Sequence, residues 1–572
     1  MIVKDMKAFL SKHKRLLIDI AILIGVFFFI FLSYFIFKPL YFSSDVGFGS
    51  VNGIIPRIYV FVCLIAVIMT GVILKLKNKL TIEILLFLIF LVGMLMQLNY
   101  MLITPYNYRQ HDVFSYNAAG HEGYALTIYK TGAMPTQVDQ NGYLDYQFYH
   151  PPFNAFMQSL MMHFCKPFMR FVNFITGSNY YDVEAMNNFT MDKFVEYTKY
   201  LDNPNNNPAY NAFASETSWE TAKSYVAPVH ALYQTSEILA TFYMNVAIYF
   251  AIRTAYRLKI ANKFKVIAAL FVSLFPALMI LAGQENNDPL CIMNCFIAIY
   301  YTVCWYENRS YFNAVMIGLF TGLAMFAKLS GALICLPAIV IFAYALITSI
   351  IKKEPFKHIL IQGAIIGLII APLGLWFHVY AKVKFNQPFG FVFANLNENL
   401  YVGDHNFFER FINIFDFADM STALWGNTFV NYNLPNFLLK SALFGEYSFI
   451  CADALGFLAL TFNYLFVYSS LVLMIIYFIY SKKEHLEVKI IAGALVVTQL
   501  LAQLYFNIKM PFGCTMDFRY IVPIILGFMI LNALAFDKFS QEKSWRKYYS
   551  LAVLIIGALF ISTITLFYLT AI

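Results

Sequence analysis

The feature that most constrains this chain is repetition. About thirteen runs of mostly apolar residues recur along it, and a helix needs about 20 such residues to cross the hydrocarbon core of a bilayer. The runs lie near 16–37, 56–76, 80–103, 229–252, 264–282, 289–305, 311–327, 331–350, 358–379, 454–480, 490–507, 519–536 and 549–571. Composition agrees: 60% of the 572 residues are hydrophobic, 18% aromatic and only 13% charged, against about 25% charged in a soluble domain. A water-soluble enzyme, a disordered chain and a secreted disulfide scaffold are excluded. The fold class implied is an all-α polytopic membrane protein. The net charge of +8 reflects where such a protein keeps its lysines and gives no reason to expect a nucleic-acid partner. Of eight cysteines, Cys63, Cys291, Cys295, Cys304 and Cys335 fall inside apolar runs and read as small buried hydrophobes. Residues 16–37 follow a basic N-terminus without a small-residue cleavage site, as in a retained signal anchor.

Lysine and arginine set the orientation. With the N-terminus in the cytoplasm, segments 1–15, 75–79, 253–265, 306–310, 351–357, 481–489 and 537–547 are cytoplasmic, and they hold 24 of the 40 Lys and Arg residues. One register satisfies every short loop. It makes 104–228 and 380–453 long extracytoplasmic loops and opens 283–288, 328–330 and 508–518 on the same face. Residues 151–176 are read as a re-entrant or interfacial helix on that face, because a span there would invert everything after it. The irregular polar sequence thus gathers on one side, as expected of an enzyme at a membrane surface more than of a carrier. Internal repeats, common in carriers, are not visible.

The polar residues of that face are the candidates for chemistry. Tyr108-Arg109-Gln110-His111-Asp112 opens the first long loop just past the 80–103 span. A carboxylate there is placed to accept a proton from a hydroxyl, or to cap a helix over 113–130. His121-Glu122 and His150-Pro151-Pro152 follow, and Pro suits the first turn of the next helix. Lys328 interrupts an apolar run and Arg519 stands at a late helix start; two cations at the lip of a bundle suit a lipid-linked phosphate, and interfacial anchoring is the alternative. Gly283-Gln284-Glu285-Asn286-Asn287-Asp288-Pro289 is a dense polar hairpin that brings Glu285 or Asp288 to the same place, or a solvated turn. Glu237 lies inside a span and needs a partner that the sequence does not name. His111, Asp112, His121, Glu122 and His150 are acceptable ligands for a divalent metal. No tight helical metal spacing is present, so no cofactor is expected and the histidines are read as hydrogen-bonding a sugar or a phosphate.

The order of these features resembles the GT-C superfamily of integral-membrane glycosyltransferases, in particular glycosyltransferase family 39, of the protein O-mannosyltransferase and aminoarabinose transferase type. Asp112 in Arg109-Gln110-His111-Asp112 matches the acidic residue that the family carries in its first outer loop. Tyr149-His150-Pro151-Pro152-Phe153 matches the aromatic segment with Pro-Pro, Asn287-Asp288 a later outer loop, Lys328-Leu329-Ser330-Gly331 a lysine followed by a small residue and glycine, and Arg519-Tyr520-Ile521-Val522-Pro523 the late Arg-Tyr before proline. The departures are His150 where relatives often carry an acid, and the absence of an adjacent acidic pair. The resemblance covers about 80–536, with 1–79 as a two-helix extension and 537–572 as a last transmembrane helix.

The resemblance implies a GT-C-like fold and a polyprenyl-phosphate sugar as donor. It implies transfer to a hydroxyl of a lipid, glycan or protein acceptor on the extracytoplasmic face, with inversion. Asp112 would be the general base; Lys328 and Arg519 would hold the donor phosphate; His111, His121, Glu122, His150, Glu285 and Asp288 would orient sugar or acceptor. A lipid-linked glycan flippase or polymerase is the alternative, and a membrane acyl- or phosphotransferase a third reading. In a bacterium the setting would be the plasma membrane and the product part of the cell envelope.

Overall fold

The computed structural model describes residues 14–38, 51–104, 120–177, 179–202, 216–391, 401–414, 432–445, 449 and 453–570. The helices are α1 (Lys14–Phe37), α2 (Val51–Leu76), α3 (Ile82–Ile103), α4 (His121–Thr131), α5 (Phe153–Thr176), α6 (Val183–Asn188), α7 (Met191–Asp202), α8 (Glu216–Tyr233), α9 (Glu237–Arg257), α10 (Asn262–Ser273), α11 (Pro276–Ala282), α12 (Asp288–Glu307), α13 (Tyr311–Ala327), α14 (Cys335–Ile351), α15 (Lys357–Phe385), α16 (Phe407–Phe411), α17 (Leu434–Phe444), α18 (Asp453–Tyr480), α19 (Leu486–Lys509), α20 (Ile524–Ser540) and α21 (Trp545–Thr570). Among the described residues no strand forms; two isolated bridges, Val138 to Leu144 and Tyr401 to Phe512, stand alone.

The protein is an all-α polytopic membrane protein, and length and composition alone account for fewer than the thirteen spans expected. Ten helices are long and apolar enough to cross a bilayer, or up to twelve if each of two bent pairs is one span. One pair, α10 with α11, bends by 43°, and the other, residues 513–521 with α20, by 53°. Proline explains both breaks: Pro276 and Pro523 lack the N–H that would continue the ladder. The α13 helix is apolar and shorter, with 17 residues. The α5 helix is not among the candidate spans, which agrees with its reading as an interfacial helix. It buries Asn154, Gln158, Met161, Met162, Cys165 and Met169 on one side and exposes Phe156, Leu160, Phe164, Phe171 and Phe174 on the other.

Small residues let the helices around the site approach closely. A Cβ on Gly322 of α13 would lie 2.9 Å from Leu373 Cβ, and one on Gly374 of α15 would lie 2.8 Å from Met325 Cβ. This is the small-residue seam on which membrane helices pack without a hydrophobic drive between them. Across the bundle, α3, α9, α10–α11 and α12 pack together, with Gln97 Nε2 donating to Leu278 O at 3.0 Å.

The two ends of the bundle differ. One carries Arg15–Glu83 at 3.2 Å, Arg253–Asp19 at 3.7 Å, Arg257–Glu307 and Lys538–Glu484 at 2.6 Å. It is the end where the Lys/Arg-rich segments lie. The other gathers the loop 283–287, the turn 329–334, the stretch 386–391 and the turns of 513–521.

Candidate functional site

The polar hairpin 283–288 is not a solvated turn. Gln284, Glu285, Asn286, Asn287 and Asp288 are all buried, and side chains of α5 and α8 satisfy the backbone there. Gln158 Nε2 donates to Glu285 O at 2.5 Å, Tyr233 OH to the same oxygen at 3.3 Å, and Asn154 Nδ2 to Asn286 O at 3.0 Å. The Asn286 side chain accepts from the Asp288 N–H at 2.9 Å, and Pro289 opens α12. Asp288 therefore sits at a helix N-terminus, where the macrodipole favours a carboxylate.

Lys328 reaches Asp288 from the opposite wall. It is the extended residue that ends α13, and the turn 329–334 folds back over the last turn of that helix. The fold-back requires Gly331, since a Cβ there would lie 2.6 Å from the Ala324 carbonyl carbon. Lys328 Nζ is 2.5 Å from Asp288 Oδ1, so Lys328 is not a snorkelling anchor. It also lies 4.8 Å from the centre of the Tyr520 ring, and Arg519 Cζ lies 5.2 Å from the same ring. Arg519 Nη2 donates to Tyr520 OH at 3.2 Å. The turn that carries Arg519 is fastened by Asp517 Oδ1, which accepts from the Arg519 N–H at 2.6 Å, and by Gln503 of α19, which donates to Thr515 O at 2.9 Å.

These groups wall a cavity of about 520 Å³. His121, His150, Asp288, Lys328 and Arg519, five of the residues singled out from sequence, line it. The His121 and His150 rings lie nearly parallel, 6.4 Å apart. Burial, then the charge of Lys328, push the His150 imidazole well below its ordinary value, so it is neutral at neutral pH. Leu329, Leu333, Ala502 and Tyr505 form an apolar stretch of the wall, and Tyr505 is exposed on the outside of the bundle. A crevice of about 540 Å³ between α10, α18, α20 and α21 contains no charged side chain and offers no chemistry.

The other expected residues lie elsewhere. Glu122 is sealed against His230, with Oε1 2.6 Å from Nδ1, and does not line the cavity. Glu285 is buried behind the cavity wall; burial, then the negative charges of Glu237 and Glu122, push its carboxyl well above the usual range. His111 and Asp112 lie outside the described residues. The described helix that follows them starts at His121 with Gly120 as its cap. No group of three or more His, Cys, Asp or Glu side chains suited to a metal ion occurs among the described residues. The sequence reading missed His378 and Cys514, which also line the cavity. A histidine inside the apolar α15 is an intramembrane ionisable group, and that was a usable signal. Glu237 finds its partner in Lys38, 2.9 Å away.

Residues 233–376 match the dolichyl-phosphate-mannose-protein mannosyltransferase family. The match spans α9 to most of α15 and carries Asp288, Lys328 and the glycine seam; His121, His150 and Arg519 lie outside it. No curated protein matches the chain. The chain thus resembles the integral-membrane glycosyltransferases of family 39, whose likeness points to a transferase dependent on a polyprenyl-phosphate sugar.

Proposed function

We propose that the protein transfers a sugar from a polyprenyl-phosphate donor to an acceptor hydroxyl, at the end of the bundle where the cavity lies, with inversion at the anomeric carbon. The observation that carries this reading is the pair of cations flanking one ring, Lys328 and Arg519 on Tyr520, in a cavity with an apolar wall on one side and imidazoles on the other. A phosphodiester on a hydrocarbon tail is a ligand of that description. The acceptor oxygen attacks the anomeric carbon and its proton passes to a carboxylate. The bond from that carbon to the phosphate oxygen breaks, and the oxygen keeps the electron pair. Fixed positive charge beside it lowers the barrier because it needs no reorganisation as the anion develops. We assign the base to Asp112, which precedes the cavity-lining His121 by nine residues and matches the acidic position of the family's first outer loop. His121 and His150 orient sugar or acceptor, and His150, neutral, both donates and accepts hydrogen bonds. The cavity end is extracytoplasmic by the lysine and arginine distribution.

The test is Asp112→Asn in purified protein, with transfer from polyprenyl-phosphate sugars and binding of C55 polyprenyl phosphate both measured. Loss of a general base costs about 10²-fold or more in rate, with binding retained. Transfer at the wild-type rate would remove Asp112 from the mechanism. Failure of the wild-type protein to bind the polyprenyl phosphate would remove the donor.

A further inference from the structure

Behind the cavity wall lies a second set of ionisable groups that the reaction does not use: Lys38, Glu237, Glu285, Glu122 and His230, all buried. Lys38 stands one residue beyond α1 and is the group that joins the others to the bundle. Its Nζ lies 2.9 Å from Glu237 Oε2 and donates to Met101 O and to Thr104 O, each at 2.5 Å. Two of its three donors bond those carbonyls, and the ammonium pairs with the carboxylate on its remaining side. The two carbonyls are at the C-terminal end of α3, where a cation is favoured, and Glu237 is in the first turn of α9, where a carboxylate is favoured. One side chain of the N-terminal helix therefore ties the ends of two antiparallel helices together.

The tie continues to the cavity. Glu237 and Glu285 are both buried, and the charge of Glu237 is felt at Glu285. Thr241 of α9 donates to Ala282 O at 2.8 Å, just ahead of the hairpin. Glu285 and Asn286 are gripped through their carbonyls by Gln158, Tyr233 and Asn154, and the Asn286 side chain fixes the Asp288 N–H. Asp288 then holds Lys328.

We infer that Lys38 is a positioning residue for the cavity: through Glu237 and the hairpin 283–288 it sets the Asp288–Lys328 pair, so that α1 is a working part of the site. The inference rests on the proposed function only in taking Lys328 as the donor-phosphate ligand. The full-length protein is used throughout, in lipid nanodiscs. Hydrogen exchange of the peptide covering 283–291 needs no ligand, and Lys38→Met should raise its rate by about tenfold, with Lys38→Arg returning most of the protection. Glu237→Gln, which keeps the side-chain shape, should raise it less and in the same direction, and serves if Lys38→Met does not fold. Unchanged exchange in 283–291 for both Lys38→Met and Glu237→Gln, or for Glu237→Gln alone where Lys38→Met does not fold, overturns the inference. Binding of C55 polyprenyl phosphate supplies a readout that a merely structural lysine would not move. Lys38→Met should weaken it about tenfold in the wild-type background and have almost no further effect in the Asp288→Asn background, since residues acting through one another are not additive. Equal, additive losses in the two backgrounds also overturn the inference. If instead Lys328→Ala leaves binding of the lipid phosphate intact, the donor assignment fails, and the exchange result still decides whether Lys38 positions the hairpin.

Discussion

Two lysine–carboxylate pairs of similar length, Lys38–Glu237 at 2.9 Å and Lys328–Asp288 at 2.5 Å, are built for opposite ends. In the first, the side chains are 1% and 0% exposed, and the ammonium is surrounded by three protein oxygens, two carbonyls that accept its hydrogen bonds and the paired carboxylate. In the second they are 13% and 6% exposed. Among the described residues Asp288 is the one hydrogen-bond acceptor of Lys328, and the rest of the ammonium faces an aromatic ring and a cavity. A pair so enclosed can do nothing except hold its elements in place. A pair with donors left over and space beside them can exchange a partner for a ligand. The number of protein oxygens around each ammonium, three against one, separates the two more plainly than burial or distance.

The largest effect expected from this difference is on folding. Removing one member of a sealed pair strands the other charge at a cost of about 3–5 kcal/mol, so Lys38→Met should lower the unfolding temperature in detergent sharply. Lys328→Met removes a pair that borders a cavity and should be milder in the same assay. The order reverses for the ligand. Lys328→Met should weaken binding of a polyprenyl phosphate by about 10- to 100-fold, the scale of a lost charged hydrogen bond. If Lys328→Met proved the more destabilising of the two, the oxygen count would be the wrong criterion.

The two pairs were not equally legible. Lys328 interrupts an apolar run, and Asp288 sits in a polar hairpin between two spans, so hydropathy alone marks both. Arg519, His121 and His150 stand out in the same way, and the alternation of spans already assigns all five to one face. Lys38 follows an apolar run that ends at 37, where a lysine reads as an ordinary flank. Its partner Glu237 is 199 positions away, and only helix packing brings them together. The spans were legible for the reason that the pairs were: apolar length is a local property. The breaks at Pro276 and Pro523 and the 17-residue α13 are where length and composition stop counting a full span. Glu122 and Glu285 carry the right chemistry for a sugar site, but a sequence does not reveal which way a carboxylate turns, and both turn from the cavity.

Titration offers a second way to separate the cavity from the sealed region, with effects on the order of 1 kcal/mol per pH unit. His150 faces the cavity, and its folded-state value is depressed below the ordinary 6.5. As pH falls below about 6.5 the unfolded chain takes up a proton that the folded protein refuses, so stability falls on the acid side. Glu285 has the opposite sign. Its folded-state carboxyl keeps a proton above the ordinary 4.5, so the unfolded chain loses protons first and stability falls as pH rises above about 4.5. His150→Gln should therefore flatten the acid limb of a stability profile, and Glu285→Gln the rising-pH loss. Profiles of unfolding against pH for the two variants would show it, and identical changes in both would contradict the assigned shifts.

The smallest effect concerns Tyr520, the ring that both cavity cations share. If the ring is what sets Lys328 and Arg519 at a fixed separation, its face matters and its hydroxyl matters less. Tyr520→Phe keeps the face and loses the bond from Arg519 Nη2 to the hydroxyl, 3.2 Å long, worth about 0.5–1.5 kcal/mol. Part of that returns when the freed guanidinium donor meets a phosphate oxygen. Affinity for C55 polyprenyl phosphate should fall by no more than about threefold. Tyr520→Leu keeps bulk but removes the quadrupole that holds both cations, at about 0.5–2 kcal/mol for each contact, and should cost about tenfold. Neither change touches Lys38 or Glu237, so exchange in the hairpin should stay at its wild-type rate in both variants. An equal loss for Phe and Leu would mean that the hydroxyl, through Arg519, is the part of Tyr520 that the ligand reads, and that the face of the ring does not set the spacing of the two cations.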